Sequence, residues 1–493
     1  MLPPKSASRS KPNVVIVLAD DMGWGDLGCY GAARIPTPAI DALAAEGLRA
    51  TDCHAASALC TPSRYALLTG RYAWRSPLKQ GVLRGHAPSI LETERPTVAS
   101  TLRAAGYATG VFGKWHLGLG WRFRDGRVWS AFEPGGPLRP ELEDGRNVDH
   151  AAGFTDGPLE HGFDRFFGIT GSLDMPPYCF LDQDHTVGVP SLAKQTLYTD
   201  QSPGLQVPDW DEQEVDARFT AEACGWMREQ VDEGRPFFCY LPLSAPHRPC
   251  LPPDAARGRS CAGVRGDMVC VVDDAVGQIS RTLAELGVDD HTLVIVTSDN
   301  GARVTGDSDG PPGHRANGDW RGQKADIWEG GHREPFVARW PGRIPAGHTV
   351  EALYGLVDLL PTIAAAAGIP VAPGAAEDGI DVLDTWTGER SDAGRRSLVQ
   401  HSGRGMFSLR RDRWKLIMGS GSGGHLTEPH GRCAGASFPE GQLYDLLSDP
   451  GERENLWSSE PKIVSTLYTE LKEIAVGPAS GLSFDVPVLT HAR

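Results

Sequence analysis

Two adjacent carboxylates are costly in an apolar setting unless they are solvated, hydrogen-bonded or bound to a cation. Asp20-Asp21 directly follow the apolar run 14–19 (VVIVLA), and Asp299-Asn300 stand just past the run 292–297 (TLVIVT), after Ser298. If both runs are parallel strands, these residues stand at strand carboxyl ends, where α/β sheets bind ligands. The four side chains carry oxygen donors and three formal negative charges. That set suits a hard divalent cation. Calcium, with roughly 6–8 oxygen ligands, fits it better than zinc, which prefers nitrogen and sulfur; magnesium stays open. Taken singly, a helix N-cap beside a solvated neighbour explains the first pair, and an Asn-Gly turn the second.

Four further segments carry donors or a nucleophile. Gly113-Lys114-Trp115-His116-Leu117-Gly118 sets a Lys and a His two apart between glycines, able to present two donors to an anion. His247 sits between prolines in Ala245-Pro246-His247-Arg248-Pro249, a rigid loop suited to general acid work. Lys324, in RGQKADIWEGG, means little by itself. Cys60 opens Cys60-Thr61-Pro62-Ser63-Arg64, followed by YALLTGR. Pro62 is favourable near a helix start. Cys60 is thus expected at a helix N-terminus, where the macrodipole favours negative charge, as a low-pKa thiol or an oxyanion position.

The elements that must position these residues alternate. Runs 14–19, 109–112, 237–243 and 292–297 read as buried parallel strands, and 38–46, 97–105 and 264–286 as helices, the last with an apolar stripe from Val264 to Leu286. Such alternation predicts an α/β fold with a large, mostly parallel sheet covered by helices on both faces. The Gly-, Pro- and charge-rich stretch 120–215 reads as long excursions over the site face. Near residue 370 the composition shifts. Segments 396–401, 405–410 and 414–418, the turn-rich DLLSDPGERENL and a helix at 462–476 predict a small antiparallel sheet with a closing helix. The expected division is a catalytic domain over 12–370 and a C-terminal subdomain over 371–493.

Lys plus Arg is 48 and Asp plus Glu 63, a formal charge of −15, which argues against a nucleic-acid or anionic-membrane partner. A small anionic substrate needs only a local positive pocket. No apolar run approaches the roughly 18–20 residues of a membrane span. The ten cysteines form no C-x-x-C pair, and most read as small buried residues. The first residues, MLPPKSASRSKPN, have no apolar stretch of a secretory leader. The expected location is the cytoplasm, or the periplasm or exterior if a leader has been removed.

CTPSR followed by LLTGR resembles the signature of the type I, formylglycine-dependent sulfatases of the alkaline-phosphatase superfamily. PNVVIVLADDMGWGDLGCYG, GKWHLG, HGFDRFFG, SAPHRP, TSDNGA and GQKADIWEGGHREPFVARWPG follow that family's order across residues 12–342. The resemblance implies that a maturation enzyme oxidises Cys60 to formylglycine, which hydrates to a gem-diol. It further implies that Asp20, Asp21, Asp299 and Asn300 hold calcium, with an oxygen at position 60 completing the set. The diol attacks the sulfur of a sulfate monoester, and the aldehyde then reforms as sulfate leaves. By the same resemblance Arg64 and Lys114 hold the diol, His116 is the base of the elimination, and His247 protonates the leaving alcohol. Lys324 grips sulfate, with Ser172 as a further sulfate-side position.

The segment GSLDMPPYCFLDQD resembles bacterial sulfatases acting on sulfated sugars, particularly a galactosamine-6-sulfate-like group. Asp174, Tyr178, His185, His314 and Arg315 are accordingly expected to line the leaving-group pocket, with exo action on a sulfated glycan or small molecule. Two other readings stay open at this point. One is a phosphate or phosphonate monoester hydrolase of the same superfamily; the other is a non-catalytic binder of sulfated glycans.

Overall fold

A strand hidden on both faces belongs in the middle of a covered sheet, and β1 (Asn13–Asp20) has all eight residues buried. Its alternate side chains feed two separate cores. Val14, Ile16 and Leu18 pack on one face of the sheet, Val15, Val17 and Ala19 on the other. The computed structural model describes residues 11–129, 145–198, 201–304, 313–392, 394–433 and 441–476.

Along the chain the elements that matter here are α1 (Pro38–Glu46), β2 (Leu48–Ala50), α2 (Cys60–Thr69), α3 (Val98–Ala104) and β3 (Ala108–Lys114). β4 (Arg165–Ile169), β5 (Leu181–Asp182), β6 (His185–Thr186), α4 (Val215–Asp232), β7 (Phe237–Pro246) and α5 (Gly263–Glu285) follow. The main unit closes with β8 (Thr292–Ser298), β9 (Phe336–Arg339), β10 (His348–Val350) and α6 (Leu359–Ala366). The ten strands lie in the order β6-β5-β4-β3-β7-β1-β8-β9-β2-β10. From β4 through β8 the pairing is parallel, and β5, β6 and β9 add antiparallel neighbours. The fold is therefore α/β, mixed and mostly parallel at its centre, as the pattern predicts. Residues Asp20, Lys114, His247 and Asp299 all stand at the carboxyl ends of the four central strands β1, β3, β7 and β8 or one residue beyond.

Stretch 120–215 differs from its sequence reading in one respect. β4, from FDRFFGIT, is a full member of the main sheet, paired in parallel with β3 from Gly110↔Arg165 to Lys114↔Ile169. Its Arg and Gly hide the apolar run that identifies the other central strands. The rest is short pairs and turns; residues 130–144 and 199–200 lie outside the described set.

The C-terminal part forms an antiparallel sheet of β11 (Ser397–His401), β12 (Phe407–Arg411), β13 (Trp414–Ile417) and β14 (Gln442–Asp445). Helix α7 (Pro461–Val476) closes it through Val464, Leu467, Leu471 and Ala475. β14 is too short and too close to turn residues to stand out in the sequence. This sheet does not hang free: its core includes Ala66 of α2, Tyr72 and Trp74. We place a division of the chain near residue 370 on this change of core, with Val382 and Trp386 still packed in the larger one.

A buried ionic contact ties the two cores. Lys415 of β13 is 0 % exposed and lies 3.0 Å from Glu329 and 2.9 Å from Glu452, both equally buried. Arg333 binds Glu329 from the other side at 2.8 Å, and His332 Nε2 stands 3.1 Å from the Lys415 ammonium. Removing one partner of such a cluster leaves buried charge without compensation. Lys415→Met should therefore lower stability by about 3–5 kcal/mol in urea unfolding; a loss below about 1 kcal/mol, the range of exposed pairs, would mean the cluster is hydrated.

Candidate active site

The site assembles where four parallel strands end together. β1 delivers Asp20 and then turns sharply: Asp21 has φ +65°, a conformation that costs a non-glycine residue energy. Arg265, in the first turns of α5, donates to the Asp21 carbonyl (2.8 Å) and pairs with Asp26 (2.6 Å), which holds that turn in place. β8 delivers Asp299 and Asn300. β3 delivers Lys114 after Gly113, where a Cβ would stand 1.9 Å from the Pro242 carbonyl of β7; only glycine permits that approach.

Helix α2 supplies Cys60 as its first residue and Arg64 one turn later, so both project from one face. All ten α2 residues are buried, and Gly70 in the left-handed region ends the helix. The Arg64 guanidinium reaches Asp299 twice, at 2.9 and 2.7 Å, and donates to the Lys114 carbonyl at 2.9 Å. The Lys114 ammonium contacts Asp20 and the Ser172 hydroxyl. Lys324 lies 2.6 Å from Asp21 and 3.5 Å from the Cys60 sulfur. Asn300 Nδ2 donates to Asp21 at 2.7 Å.

Three buried carboxylates are thus met by three buried cations. Burial by itself would raise the Asp20 carboxyl, but Lys114, His247, Arg64 and Lys324 outweigh it and hold it well below the usual range. Asp21 is lowered in the same way, by Lys324 and His247. Asp299 goes the other way, to about 6, because burial and the neighbouring Asp20 charge prevail over Arg64.

One expectation fails. Burial pushes the Cys60 thiol up to about 12 despite Lys114, Lys324 and the helix terminus. It is 2 % exposed, and desolvation of a thiolate exceeds the help of a helix end. Unmodified Cys60 is no low-pKa nucleophile.

His116 also has a left-handed backbone, φ +56°. Its Nε2 stands 2.8 Å from the Leu83 carbonyl, which can only accept, so Nε2 carries the hydrogen. Nδ1 is then a bare lone pair, buried and without a hydrogen-bond partner among the described residues. Burial, Lys114 and Arg64 hold this imidazole well below the ordinary histidine range, so it is neutral. In His247, Nδ1 is 2.8 Å from the Arg248 carbonyl, and Nε2 points at the cluster, 3.7 Å from Asp21.

The oxygens of Asp20, Asp21 and Asn300 fit a hard cation. Ligand atoms of Asp20, Asp21, Cys60 and His247 lie within 4.8 Å of one another, all buried. Asp20 Oδ1 and Asn300 Oδ1 are buried oxygens without a hydrogen-bond partner among the described residues. Orphaned oxygens in a polar cluster are costly unless something binds them.

The expected pocket residues separate. Ser172 is in the site through Lys114. Asp174, two residues on, keeps a buried Oδ1 without a described partner. Tyr178 is 1 % exposed and its hydroxyl donates to the Ser202 carbonyl at 2.6 Å, so it packs rather than lines. His314 is committed to Asp26 at 2.7 Å, bracing the Asp21 turn with Arg265. Arg315 is exposed and pairs with Asp319 four residues on, and His185 is exposed beside Asp184. His185 and Arg315 thus pair with neighbours in sequence, whereas Tyr178 and His314 spend their polar atoms on partners far along the chain. The sequence reading missed Arg265, which looks like an ordinary polar residue of an amphipathic helix.

A cluster of buried carboxylates and cations at the carboxyl edge of a mostly parallel sheet suits the binding of an anionic ester. The comparisons narrow it. The sulfatase family model matches residues 12–369. The chain is 31 % identical to an N-acetylgalactosamine-6-O-sulfatase of Bacteroides thetaiotaomicron, over 95 % of this chain and 94 % of that one. It is 35 % identical to human arylsulfatase A, over 94 % and 87 %. A solved B. thetaiotaomicron sulfatase, from a locus for metabolism of multiple glycosaminoglycans, superposes with a TM-score of 0.81 at 30 % identity, covering 94 % of this chain and 99 % of that one. The chain belongs to the sulfatase family and is a hydrolase of sulfuric esters.

Calcium added to chelator-treated protein at a hundred times its Kd should raise stability by about 2.7 kcal/mol. Asn300→Ala should shift that response to higher calcium. A melting curve indifferent to calcium and magnesium would remove the cation from this site.

Proposed function

We propose that the protein removes sulfate from a sulfated carbohydrate, a galactosamine-6-sulfate-like group being the favoured case. The observation that carries the proposal is the buried cluster of Asp20, Asp21, Cys60 and His247, ringed by Arg64, Lys114 and Lys324. The likeness to the Bacteroides N-acetylgalactosamine-6-O-sulfatase supports the sugar.

Asp20, Asp21, Asp299 and Asn300 would hold a calcium ion, which supplies Lewis-acid polarisation, beside a Cys60 converted to formylglycine, which supplies an oxygen nucleophile after hydration. Before the ion binds, three cations and three carboxylates balance. A divalent ion leaves the pocket with a formal charge of +2, so an overall acidic protein presents a local field that draws in a sulfate ester. Lys324 and Ser172 hold sulfate oxygens, and Lys114 joins Arg64 in holding the side chain at position 60. Arg64, pinned by Asp299 and the Lys114 carbonyl, fixes the side chain at position 60 and offsets its charge. His247 Nε2 gives a proton to the bridging oxygen as the alcohol departs. His116 Nδ1, a buried lone pair without a described partner, takes the proton whose loss frees sulfate.

Asp174 Oδ1 is available to accept a sugar hydroxyl. Cys60 is 2 % exposed, so a maturation enzyme has to reach it before the fold closes.

Cys60→Ala should lower kcat/KM on nitrophenyl sulfate by at least about 10³-fold, as removal of a nucleophile does. The peptide containing residue 60 should weigh less than its thiol form, by the difference between thiol and aldehyde side chains. Turnover of nitrophenyl sulfate should exceed that of nitrophenyl phosphate. A thiol at position 60 in active enzyme, or faster phosphate hydrolysis, would overturn the proposal. A panel of sulfated mono- and disaccharides should give its fastest turnover on a 6-sulfated galactosamine.

A further inference from the structure

β7 overruns one of its neighbours. Its pairing with β3 ends at Tyr240↔Val111, whereas on the other side it stays beside β1 as far as Asp20↔Pro246. The β1 pairing itself slips between Leu18 and Asp20. Strand β7 therefore reaches the site with its last amides facing away from β1 and no strand to receive them. Buried amides must be paired.

Asp216, in the first turn of α4, takes that place. It is 4 % exposed, and its Oδ1 accepts from the Ser244 amide at 2.7 Å. The Ala245 amide also bonds to it. Its own carbonyl accepts from Thr220 at 2.8 Å, which anchors the turn to the helix. The next bond in the chain is His247 N–H to the Ser244 carbonyl, 3.0 Å, closing the turn that carries the imidazole. A single carboxylate thus links the helix layer to the histidine loop. No cation pairs with Asp216 among the described ion pairs; burial pushes its carboxyl up to about 7, and the Ser244 and Ala245 amides it holds offset that only in part.

We propose that Asp216 is a positioning residue for the leaving-group side of the reaction: by receiving the Ser244 and Ala245 amides it fixes the turn that aims His247 Nε2 into the pocket. This rests on His247 acting as the acid. Asp216 touches neither substrate nor the cation ligands, and its effect runs through the backbone.

General acid assistance matters most when the departing alcohol is poor. The test measures kcat/KM on aryl sulfates whose phenols range from strongly to weakly acidic, using mature wild type, His247→Ala, Asp216→Ala and Asp216→Asn. His247→Ala should steepen the dependence on phenol acidity. Asp216→Ala should steepen it in the same sense, with a loss of about 10- to 100-fold on the poorest leaving group, as small misplacements give, and a smaller loss on nitrophenyl sulfate. Asp216→Asn keeps one acceptor oxygen and should fall between Asp216→Ala and wild type. Equal losses across the whole series in both Asp216 variants, with His247→Ala still steepened, would make Asp216 merely structural. A wild-type slope in His247→Ala would instead remove the acid reading itself, and the role of Asp216 with it. If Asp216→Ala does not fold, Asp216→Asn decides by the same slope.

Discussion

Everything at the site follows from placing three carboxylates in the dry centre of a sheet edge. Asp20, Asp21 and Asp299 are at most 3 % exposed, and each by itself would be expensive. The fold answers with Arg64, Lys114 and Lys324, brought from α2, β3 and a distant loop. None of the six is tolerable without the others. The cluster is therefore a constraint on the fold: β1, β3, β8 and α2 must converge for the charges to balance.

The balance is incomplete by design of the donor set. Cations satisfy Asp20 Oδ2, Asp21 Oδ1 and Asp299 Oδ2, while Asp20 Oδ1 and Asn300 Oδ1 have no partner among the described residues. Unpaired buried oxygens raise the energy of the empty pocket and so favour the ion. The same dryness works against the raw thiol. At Cys60 burial raises the thiol out of the range of a nucleophile at neutral pH.

Rigidity comes from outside the pocket. Arg265 and His314 clamp Asp26 and the strained turn at Asp21. Asp216 stands in for a missing strand next to His247. The loop of Lys324 is fixed by the C-terminal part: Gly403 N–H donates to the Ala325 carbonyl at 2.9 Å, Ile327 N–H to Ser422 at 2.7 Å, and Lys415 grips Glu329. The small sheet is thereby a structural participant in the site.

The sequence by itself determined the central strands, the long helices and the residue types at strand ends, because apolar period and turn chemistry are local. It also carried the family, since seven ordered segments hold the same residue types. Strand β4 and strand β14 escaped it, being short and interrupted by polar residues whose partners lie far along the chain. Tertiary structure alone decided which polar residues meet in the buried cluster and which brace it. Tyr178 and His314 spend their polar atoms on Ser202 and Asp26, and Cys60 is silenced by burial. Desolvation and long-range partners have no periodicity, so no reading of neighbours along the chain could have revealed them.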